Sequence, residues 1–486
     1  MSAETPKSHI GDVDQGLRTT LDELLAGFAE ITLQDDPRDK QMSHGDKILK
    51  AYLFKNEPHF VNVMKYRDRG WVQNKEKGDA FFKAQREKAD NTDKVGEKRF
   101  FVMMQQILDE MQGQTGFLNL PVRGEELHVF DICMAPGGYT AAVLKYYPTA
   151  KAFGVTLPEQ DGGHAVLIPS EALAGLKYMD VTMLINEFGD GGSVPKTHPD
   201  YKKFIITRPF SYYKFDLVFC DGMVLRTQER ATYREKSEVV RLIHSQLILA
   251  IQRIAPGGTL VMLLHKIDCF SSAFILYTLS TFAKVEVFKP LKKHNTRSSF
   301  YMIAKDVQPE SEAAKAAVKK WKNRWWKATF GDGKDEDEPI HPKTETDESK
   351  LFEMIQEFGP SLMELGRPIW DVQAEALKRT EYAGDGSGPL SPSTDMPRSI
   401  SIPARPPLSP SSIAPMSPSS TWPMSPMTPT TPFTPMMPLS KTASWGKGTN
   451  VDENVSPRSP RSPGFGRGFQ RFSAGSYEGA RWGPDK

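Results

Sequence analysis

The chain has 486 residues, of which 39% are hydrophobic and 25% are charged, so it is long enough to bury a large core. Its formal net charge of +2 is nearly neutral, so any electrostatic argument for binding nucleic acid has to rest on local patches. No stretch reaches the roughly 18 to 20 apolar residues of a membrane helix, and the first residues lack the apolar core of a signal peptide. These features predict a soluble intracellular protein and do not separate nucleus from cytoplasm.

Residues 1–124 are rich in charged and aromatic residues and show helical periodicity. In the segment "KRFFVMMQQILDEMQ" the apolar residues recur at the spacing of one helix face. They are Phe101, Met104, Ile107, Leu108 and Met111. The segment "LRTTLDELLAGFAEI" has the same character. Together these segments predict a helical extension before the core domain.

Between residues 125 and 306, short β-rich runs alternate with segments of helical spacing. The predicted strands are "HVFDIC", "KAFGVTL", "GLKYMD", "FDLVFCD", "GGTLVMLLH", "AKVEVF" and "SFYMIAK". The predicted helices are "YTAAVLKYY", "SEVVRLIHSQLILAIQRI" and "SSAFILYTLSTF". Strands that alternate with such helices imply right-handed crossovers and a mostly parallel sheet with helices on both faces. The sequence therefore predicts an α/β domain with a doubly wound, Rossmann-like sheet.

The three cysteines, Cys133, Cys220 and Cys269, each lie in or beside an apolar, strand-like run. They form no CxxC pair of the kind that binds zinc. We therefore predict buried free thiols and no metal site.

Residues 307–383 begin with a strongly basic predicted helix, "SEAAKAAVKKWKNRWWKATFG", and continue through an acidic linker to a further helical segment. Residues 384–486 are rich in Pro, Ser, Thr and Met, a composition that cannot bury enough apolar surface to fold, so we predict a disordered tail. Its Ser-Pro and Thr-Pro pairs suit proline-directed kinases, although a plain flexible tail explains each pair equally well. The pairs begin at Ser391, Ser409, Ser417, Ser425, Thr428, Thr431, Thr434, Ser456, Ser459 and Ser462.

A glycine-rich turn joins the first predicted strand, which ends at Asp131, to the following helix. The turn consists of Ala135, Pro136, Gly137, Gly138 and Tyr139. Glycines let the backbone approach a ligand closely, and the start of a helix offers unpaired N–H groups. The turn is not GxGxxG and lacks the Lys of a Walker loop, which disfavours a dinucleotide or a nucleoside triphosphate. It indicates either a loop that binds another cofactor or a tight crossover turn.

The motif "DICMAPGGYT" resembles the first motif of the FtsJ/RrmJ-type RNA ribose 2′-O-methyltransferases, whose D-x-x-x-A-P-G-G-[WFY] loop holds S-adenosylmethionine. The resemblance covers about residues 125–305. "FGVTLPEQDGG" is similar to a segment of the messenger-RNA cap branch, "FDLVFCDGM" to the fourth motif, and "KVEVFKPLKKHNTRSSFYMIAK" to the closing hairpin. The resemblance implies the methyltransferase fold with S-adenosylmethionine as cofactor.

The same resemblance implies methyl transfer to a ribose 2′-hydroxyl by a Lys-Asp-Lys-Glu set, in which the central Lys assists deprotonation. Asp221 matches the Asp of this set. The central Lys position reads Leu263, and Lys266 is the best substitute, with an ordinary solvated Lys as its alternative. The first Lys position reads Ile107, and Ser299 and Phe300 occupy the stretch where the closing Glu is expected. Asp221 and Lys266 are therefore the predicted catalytic residues.

For cofactor binding, the resemblance implies Asp131, the loop from Ala135 to Tyr139, and Asp180 as the acid that contacts adenine. A strand-end turn is an equal alternative for Asp180. Thr156 replaces the acid that often contacts the ribose in this family.

RNA binding needs cationic surface beside the site, because phosphates supply much of the affinity. "KKWKNRWWK" adds aromatic residues that could stack on bases, with tryptophans packed against the sheet as the alternative. "KPLKKHNTR" is a second basic segment, with a solvated loop as its alternative. Its cations are Lys289, Lys292, Lys293 and Arg297.

Three functions remain open from the sequence. The first is an S-adenosylmethionine-dependent methyltransferase that acts on RNA, with the 5′ cap region as a candidate substrate. The second is a catalytically impaired protein of the same fold that acts as an RNA- or protein-interaction module, which the missing Lys and Glu favour. The third is a small-molecule methyltransferase, whose pocket the helical extension and the segment 182–210 would cover.

Overall fold

The computed structural model describes residues 42–90, 94–120, 126–189, 194–225, 228–331 and 345–384. The helix predicted in "LRTTLDELLAGFAEI", most of the acidic linker, and the tail with its Ser-Pro and Thr-Pro pairs lie outside the described residues. Those expectations therefore stay predictions.

Seven strands form one sheet in the order β3-β2-β1-β4-β5-β7-β6. Their bounds are β1 His128–Ile132, β2 Lys151–Thr156, β3 Gly175–Tyr178, β4 Phe215–Cys220, β5 Ile254–His265, β6 Lys284–Phe288 and β7 Ser299–Val307. The strands from β3 to β5 pair in parallel, whereas β7 runs antiparallel to both β5 and β6. The predicted strands and the mostly parallel α/β sheet are confirmed.

Helices cover both faces of the sheet because buried side chains alternate along its strands. Val129 and Leu217 face a core formed with α4 and α5, and Phe130 and Val218 face the opposite core. The helices are α1 His44–Asn56, α2 Pro58–Asp68, α3 Lys75–Asp90, α4 Lys94–Thr115, α5 Gly138–Tyr146, α6 Ile185–Phe188, α7 Thr232–Arg253, α8 Phe270–Ser280, α9 Glu312–Phe330 and α10 Glu345–Lys378. The doubly wound arrangement is therefore confirmed.

Helices from both ends of the described chain pack together beside the carboxyl end of β5. The ring of Phe60 in α2 lies 5.3 Å from that of Trp370 in α10, measured between centroids. Arg67 donates to Asp268 at 3.0 Å, in the turn after β5. Burial raises the pKa of Asp268, but the charges of Arg67 and Lys50 outweigh it and hold that pKa below its ordinary value. This buried ion pair ties the helical extension to the sheet.

Among the described helices, none combines the length and the apolar composition that a membrane crossing requires.

Candidate cofactor site

The glycine turn lies at the carboxyl end of β1, the edge of a parallel sheet where ligands bind in α/β folds. Gly137 caps α5 with φ of 93°, in the left-handed region that disfavours residues with a side chain. A Cβ atom there would lie 2.7 Å from Cδ1 of Ile168. A Cβ atom on Gly138 would lie 2.5 Å from the carbonyl oxygen of Phe101 in α4. Both glycines are therefore required by the backbone conformation or by close packing.

Thr156 ties the turn to the neighbouring strand. Its side chain is 4% exposed, and its Oγ1 accepts a hydrogen bond of 3.3 Å from the backbone N–H of Ala135. The residue at the family's ribose-contacting position thus supports the loop in this chain.

Asp131 is a buried carboxyl at the base of the turn. It is 2% exposed, and the hydroxyl of Thr140 donates to its Oδ2 at 2.6 Å. Burial raises the pKa of Asp131 to about 7, because the hydrogen bond from Thr140 only partly offsets the loss of water.

Asp221 follows β4 directly, beside the turn. Its Oδ1 is buried and has no hydrogen-bond partner among the described residues. Burial, and secondly the negative charge of Asp131, raise the pKa of Asp221 well above its ordinary value. The site therefore brings together two carboxyl groups whose ionised forms are both disfavoured, an arrangement that a bound cation would relieve.

Gln246 of α7 holds the backbone that follows Asp221. Its Oε1 accepts from the N–H of Gly222 at 2.8 Å, and its Nε2 donates to the carbonyl of Gly222 at 3.2 Å. No pattern in the sequence links a helical Gln to a turn 24 positions earlier, so this residue was missed.

We expect Gln246→Met to keep the shape of the buried side chain, lose both bonds and release the Asp221 turn. Leaving the Gly222 groups without partners should lower the free energy of unfolding by roughly 1–3 kcal/mol. Thermal unfolding measures that loss. Calorimetric titration with S-adenosylmethionine should show an affinity that is about tenfold lower than that of the wild type. Gln252→Met, on the same helix, is the matched control; an equal loss of affinity there would contradict a specific role for Gln246.

Asp180 caps the short helical turn Val181–Met183 after β3. Its Oδ1 accepts from the N–H and hydroxyl of Thr182, and its Oδ2 accepts from Gln228 at 3.2 Å and Arg234 at 2.7 Å. These four donors use the full accepting capacity of a carboxylate. Burial raises the pKa of Asp180, but Arg234 outweighs it and holds the pKa below its ordinary value. Contact with an adenine amino group would have to displace one of these donors.

Apolar side chains occupy two positions where the resemblance expects lysines. Ile107 is 1% exposed in the core formed with α4. Leu263 lines a narrow apolar pocket next to Asp221 that leaves no room for a water molecule. Ser299 begins β7 opposite His265. The positions at which the resemblance implies two lysines and a glutamate therefore carry no ionisable side chain, and Lys266 remains the predicted substitute for the central Lys.

Lys266 lies just beyond the end of β5, with φ of 50° and its N–H bonded to the carbonyl of Ser298 at 3.0 Å. Its charge contributes to lowering the pKa of Asp268, on the side of the sheet end where α1 and α2 pack. The predicted catalytic role of Lys266 stays a prediction.

Two tyrosines line the pocket with Asp221. The hydroxyls of Tyr139 and Tyr301 lie 2.5 Å apart, and burial and the charge of Asp221 raise the pKa of both. Tyr139 belongs to the predicted loop, but Tyr301 was missed, because only the pairing of β5 with β7 brings it opposite Leu263.

In the two basic segments predicted to contact RNA, several of the side chains are buried and are not available to bind RNA. Lys289 is 4% exposed, and its Nζ donates to the carbonyls of His294 at 2.9 Å, Ser299 at 2.6 Å and Arg297, so it organises the loop internally. Trp321 and Trp325 are 4% and 0% exposed, so these rings are packed inside the protein and are not available for stacking on bases. Trp325 lies against Phe188 of α6.

The cysteines are free, as predicted, but only Cys220 is buried; Cys133 and Cys269 are partly exposed. Burial and the charges of Asp131, Asp180 and Asp221 raise the pKa of the Cys133 thiol, which keeps it protonated beside the turn.

Residues 104–307 match the model of the FtsJ-like methyltransferases. The match begins in α4 and ends with β7, and we call residues 104–307 the FtsJ-like domain. It contains all seven strands of the described sheet, whereas α1 to α3, α9 and α10 lie outside it. No curated protein is similar enough in sequence to count as a match.

Several solved structures resemble the chain at low identity. One named as a ribosomal RNA methyltransferase of Plasmodium falciparum has 18% identity and a TM-score of 0.27, covering 42% of this chain and 96% of that one. An rRNA methylase of Streptococcus thermophilus has 13% identity and a TM-score of 0.23, covering 42% and 95%. A Streptococcus mutans protein assigned to the methyltransferases, solved with S-adenosylhomocysteine, has 14% identity and a TM-score of 0.25, covering 40% and 97%.

Proposed function

We propose that the FtsJ-like domain binds S-adenosylmethionine at the carboxyl ends of β1 and β4 and transfers its methyl group to RNA. The observation that carries this proposal is the pair of buried carboxyls, Asp131 and Asp221, with the unpartnered Oδ1 of Asp221 beside a glycine turn. S-adenosylmethionine carries a sulfonium and an ammonium group. It would therefore supply both the reactive methyl group and a cationic partner for these two carboxyls. The Gly137 turn, Asp131 and Asp221 are the residues that would hold it.

A ribose 2′-hydroxyl is the first candidate acceptor. Oxygen gains the methyl group as the carbon–sulfur bond breaks, and the hydroxyl proton must pass to a base. Asp221 suits that role once the positive charge of a bound cofactor favours its ionised form, because a carboxylate whose pKa lies above its ordinary value is a stronger base than an exposed one. The resemblance to the cap branch makes capped RNA the first substrate to assay, beside the same RNA without its cap.

A second candidate is a protein that binds cofactor without transferring methyl groups. The observation that favours it is the replacement of three ionisable positions by Ile107, Leu263 and Ser299. Calorimetric titration with S-adenosylmethionine, followed by a methyl-transfer assay on capped RNA, separates the candidates. Binding with transfer supports the first, binding without transfer supports the second, and no binding by the folded protein contradicts both.

We expect cofactor binding to release protons and to strengthen as pH rises from about 5 to 8. Asp131, with a pKa of about 7, is largely protonated at the lower end of this range, and a cationic ligand lowers that pKa. Titrations at pH 6.5 in buffers of different ionisation enthalpy measure the released protons. Proton uptake, or affinity that is constant across this range, would contradict the proposed contact with the carboxyls.

The substitution Lys266→Ala tests whether Lys266 is the base that accepts the hydroxyl proton. Because we propose Asp221 as the base, we expect the variant to keep methyl transfer within about threefold of the wild-type rate. Single-turnover assays measure the rate, and calorimetry confirms cofactor binding. A loss of transfer with unchanged cofactor affinity would instead establish Lys266 as the base, as its sequence position predicts.

A further inference from the structure

Helix α9, which follows the last strand of the sheet in sequence, is rich in positively charged residues. Its 19 residues, Glu312–Phe330, include six Lys or Arg and a single acidic residue. The helix follows the region that matches the FtsJ-like model, so it lies outside that match. The charge is local, because the whole protein has a formal net charge of only +2.

The apolar side of α9 is buried and fixes the orientation of the helix. Trp325 is fully buried, and its Nε1 donates to the carbonyl of Thr182 at 3.0 Å. Arg241 of α7 donates to the hydroxyl of Thr329 at 3.1 Å. Ser311 caps the first turn by accepting from the N–H of Ala314 at 3.2 Å. The helix is therefore a rigid element, anchored two residues from Asp180 at the carboxyl end of β3.

The outer side of α9 presents lysines to solvent. Lys319 and Lys320 are exposed and Lys322 is partly exposed, and none of the three takes part in the ion pairs of the described chain. We call these three residues the basic face. Lys315, one turn earlier, pairs with Glu312 at 3.0 Å, and Arg324 lies over the ring of Phe274.

Like charges spaced three or four residues apart on a helix repel one another. Lys319 and Lys322 have this spacing, and the basic face forms none of the ion pairs of the described residues, so it is suited to a polyanion whose phosphates would relieve the repulsion. The buried tryptophans are not available for stacking on bases. This surface therefore fits the phosphate backbone and offers no means of reading sequence.

We infer that the basic face of α9 binds the RNA backbone and holds the substrate beside the methyl-transfer site. The inference rests on the proposed function, because RNA is the polyanion that an RNA methyltransferase would present to this surface. It adds a binding surface outside the FtsJ-like domain.

The test is fluorescence anisotropy of the full chain with a labelled single-stranded RNA, over a series of salt concentrations. In the triple variant Lys319→Gln, Lys320→Gln, Lys322→Gln, we expect at least tenfold weaker binding at 0.15 M salt. Each lost phosphate contact lowers the slope of log affinity against log salt by about 0.7, so the three should lower it by about 2.

The matched control removes three exposed lysines elsewhere, as Lys83→Gln, Lys151→Gln, Lys284→Gln. These lysines form surface ion pairs with Glu87, Glu126 and Asp306, which contribute little stability. Both variants have the same net charge, so a general charge effect would weaken RNA binding equally in both. Equal affinities of the two variants would overturn the inference.

Two further measurements separate this inference from the proposed function. Calorimetry with S-adenosylmethionine should give the same affinity for the triple variant and the wild type, because the basic face is outside the cofactor site. If the wild type binds RNA through the basic face but no cofactor, the surface stands and the proposed function fails. Binding of the wild type to phosphatidylserine vesicles but not to RNA would overturn the inference.

Discussion

We expect Asp221→Asn to stabilise the ligand-free protein and to weaken cofactor binding at the same time. The ionised Asp221 is disfavoured in the folded state, since its pKa is raised well above its unfolded value. The protonated Asp221 contributes to the free energy of unfolding below the pKa that the group has in the unfolded chain. That contribution is lost as pH rises through the pKa of the folded state. At pH 8, removal of the charge should therefore raise the free energy of unfolding by about 1 kcal/mol or more, and this gain should shrink towards pH 4.

The loss of charge should raise the Kd for S-adenosylmethionine at least about tenfold, and should affect S-adenosylhomocysteine less, because the latter lacks the sulfonium charge. Denaturant unfolding at pH 8 and pH 4 and paired calorimetric titrations measure both effects. Asp216→Asn is the control on the same strand: its Oδ2 accepts from the N–H of His128 at 2.9 Å, at the opposite end of the sheet. An Asp221→Asn variant that is less stable and binds the cofactor normally would refute the proposed site.

We expect Gly137→Ala to abolish measurable cofactor binding. The residue has φ of 93°, and any L-residue in a left-handed conformation costs about 1–2 kcal/mol. The new Cβ would also lie 2.7 Å from Ile168 Cδ1, so either Ile168 or the turn has to move. Thermal unfolding and calorimetry measure the loss of stability and of binding.

Gly113→Ala provides the matched control for this substitution. Gly113 lies inside α4, and a Cβ there meets no atom within 4 Å. Ala is favoured over Gly in a helix by roughly 1 kcal/mol, so this variant should be slightly more stable than the wild type. Normal cofactor binding by Gly137→Ala would show that the turn does not approach the ligand.

Strand periodicity was sufficient to predict the sheet, because buried parallel strands produce continuous apolar runs and helices between them have their own period. Asp131 lies near the end of such a strand, and Gly137 and Asp221 follow one, so their convergence at one sheet edge could also be predicted. Lys289 could not be assigned correctly, because its burial depends on carbonyls of residues 294–299 that fold back around its Nζ.

The sequence by itself determined the α/β class, the strand set and the glycine turn, since each depends on local composition and spacing. It also identifies Ile107, Leu263 and Ser299 at the positions where the resemblance implies ionisable residues. Only the tertiary structure decided how the charge of each carboxyl is compensated. The carboxylate of Asp180 is paired with Arg234, whereas the Oδ1 of Asp221 has no hydrogen-bond partner among the described residues. Such differences depend on the partners and burial that long-range packing gives each carboxyl, and sequence spacing does not encode either one.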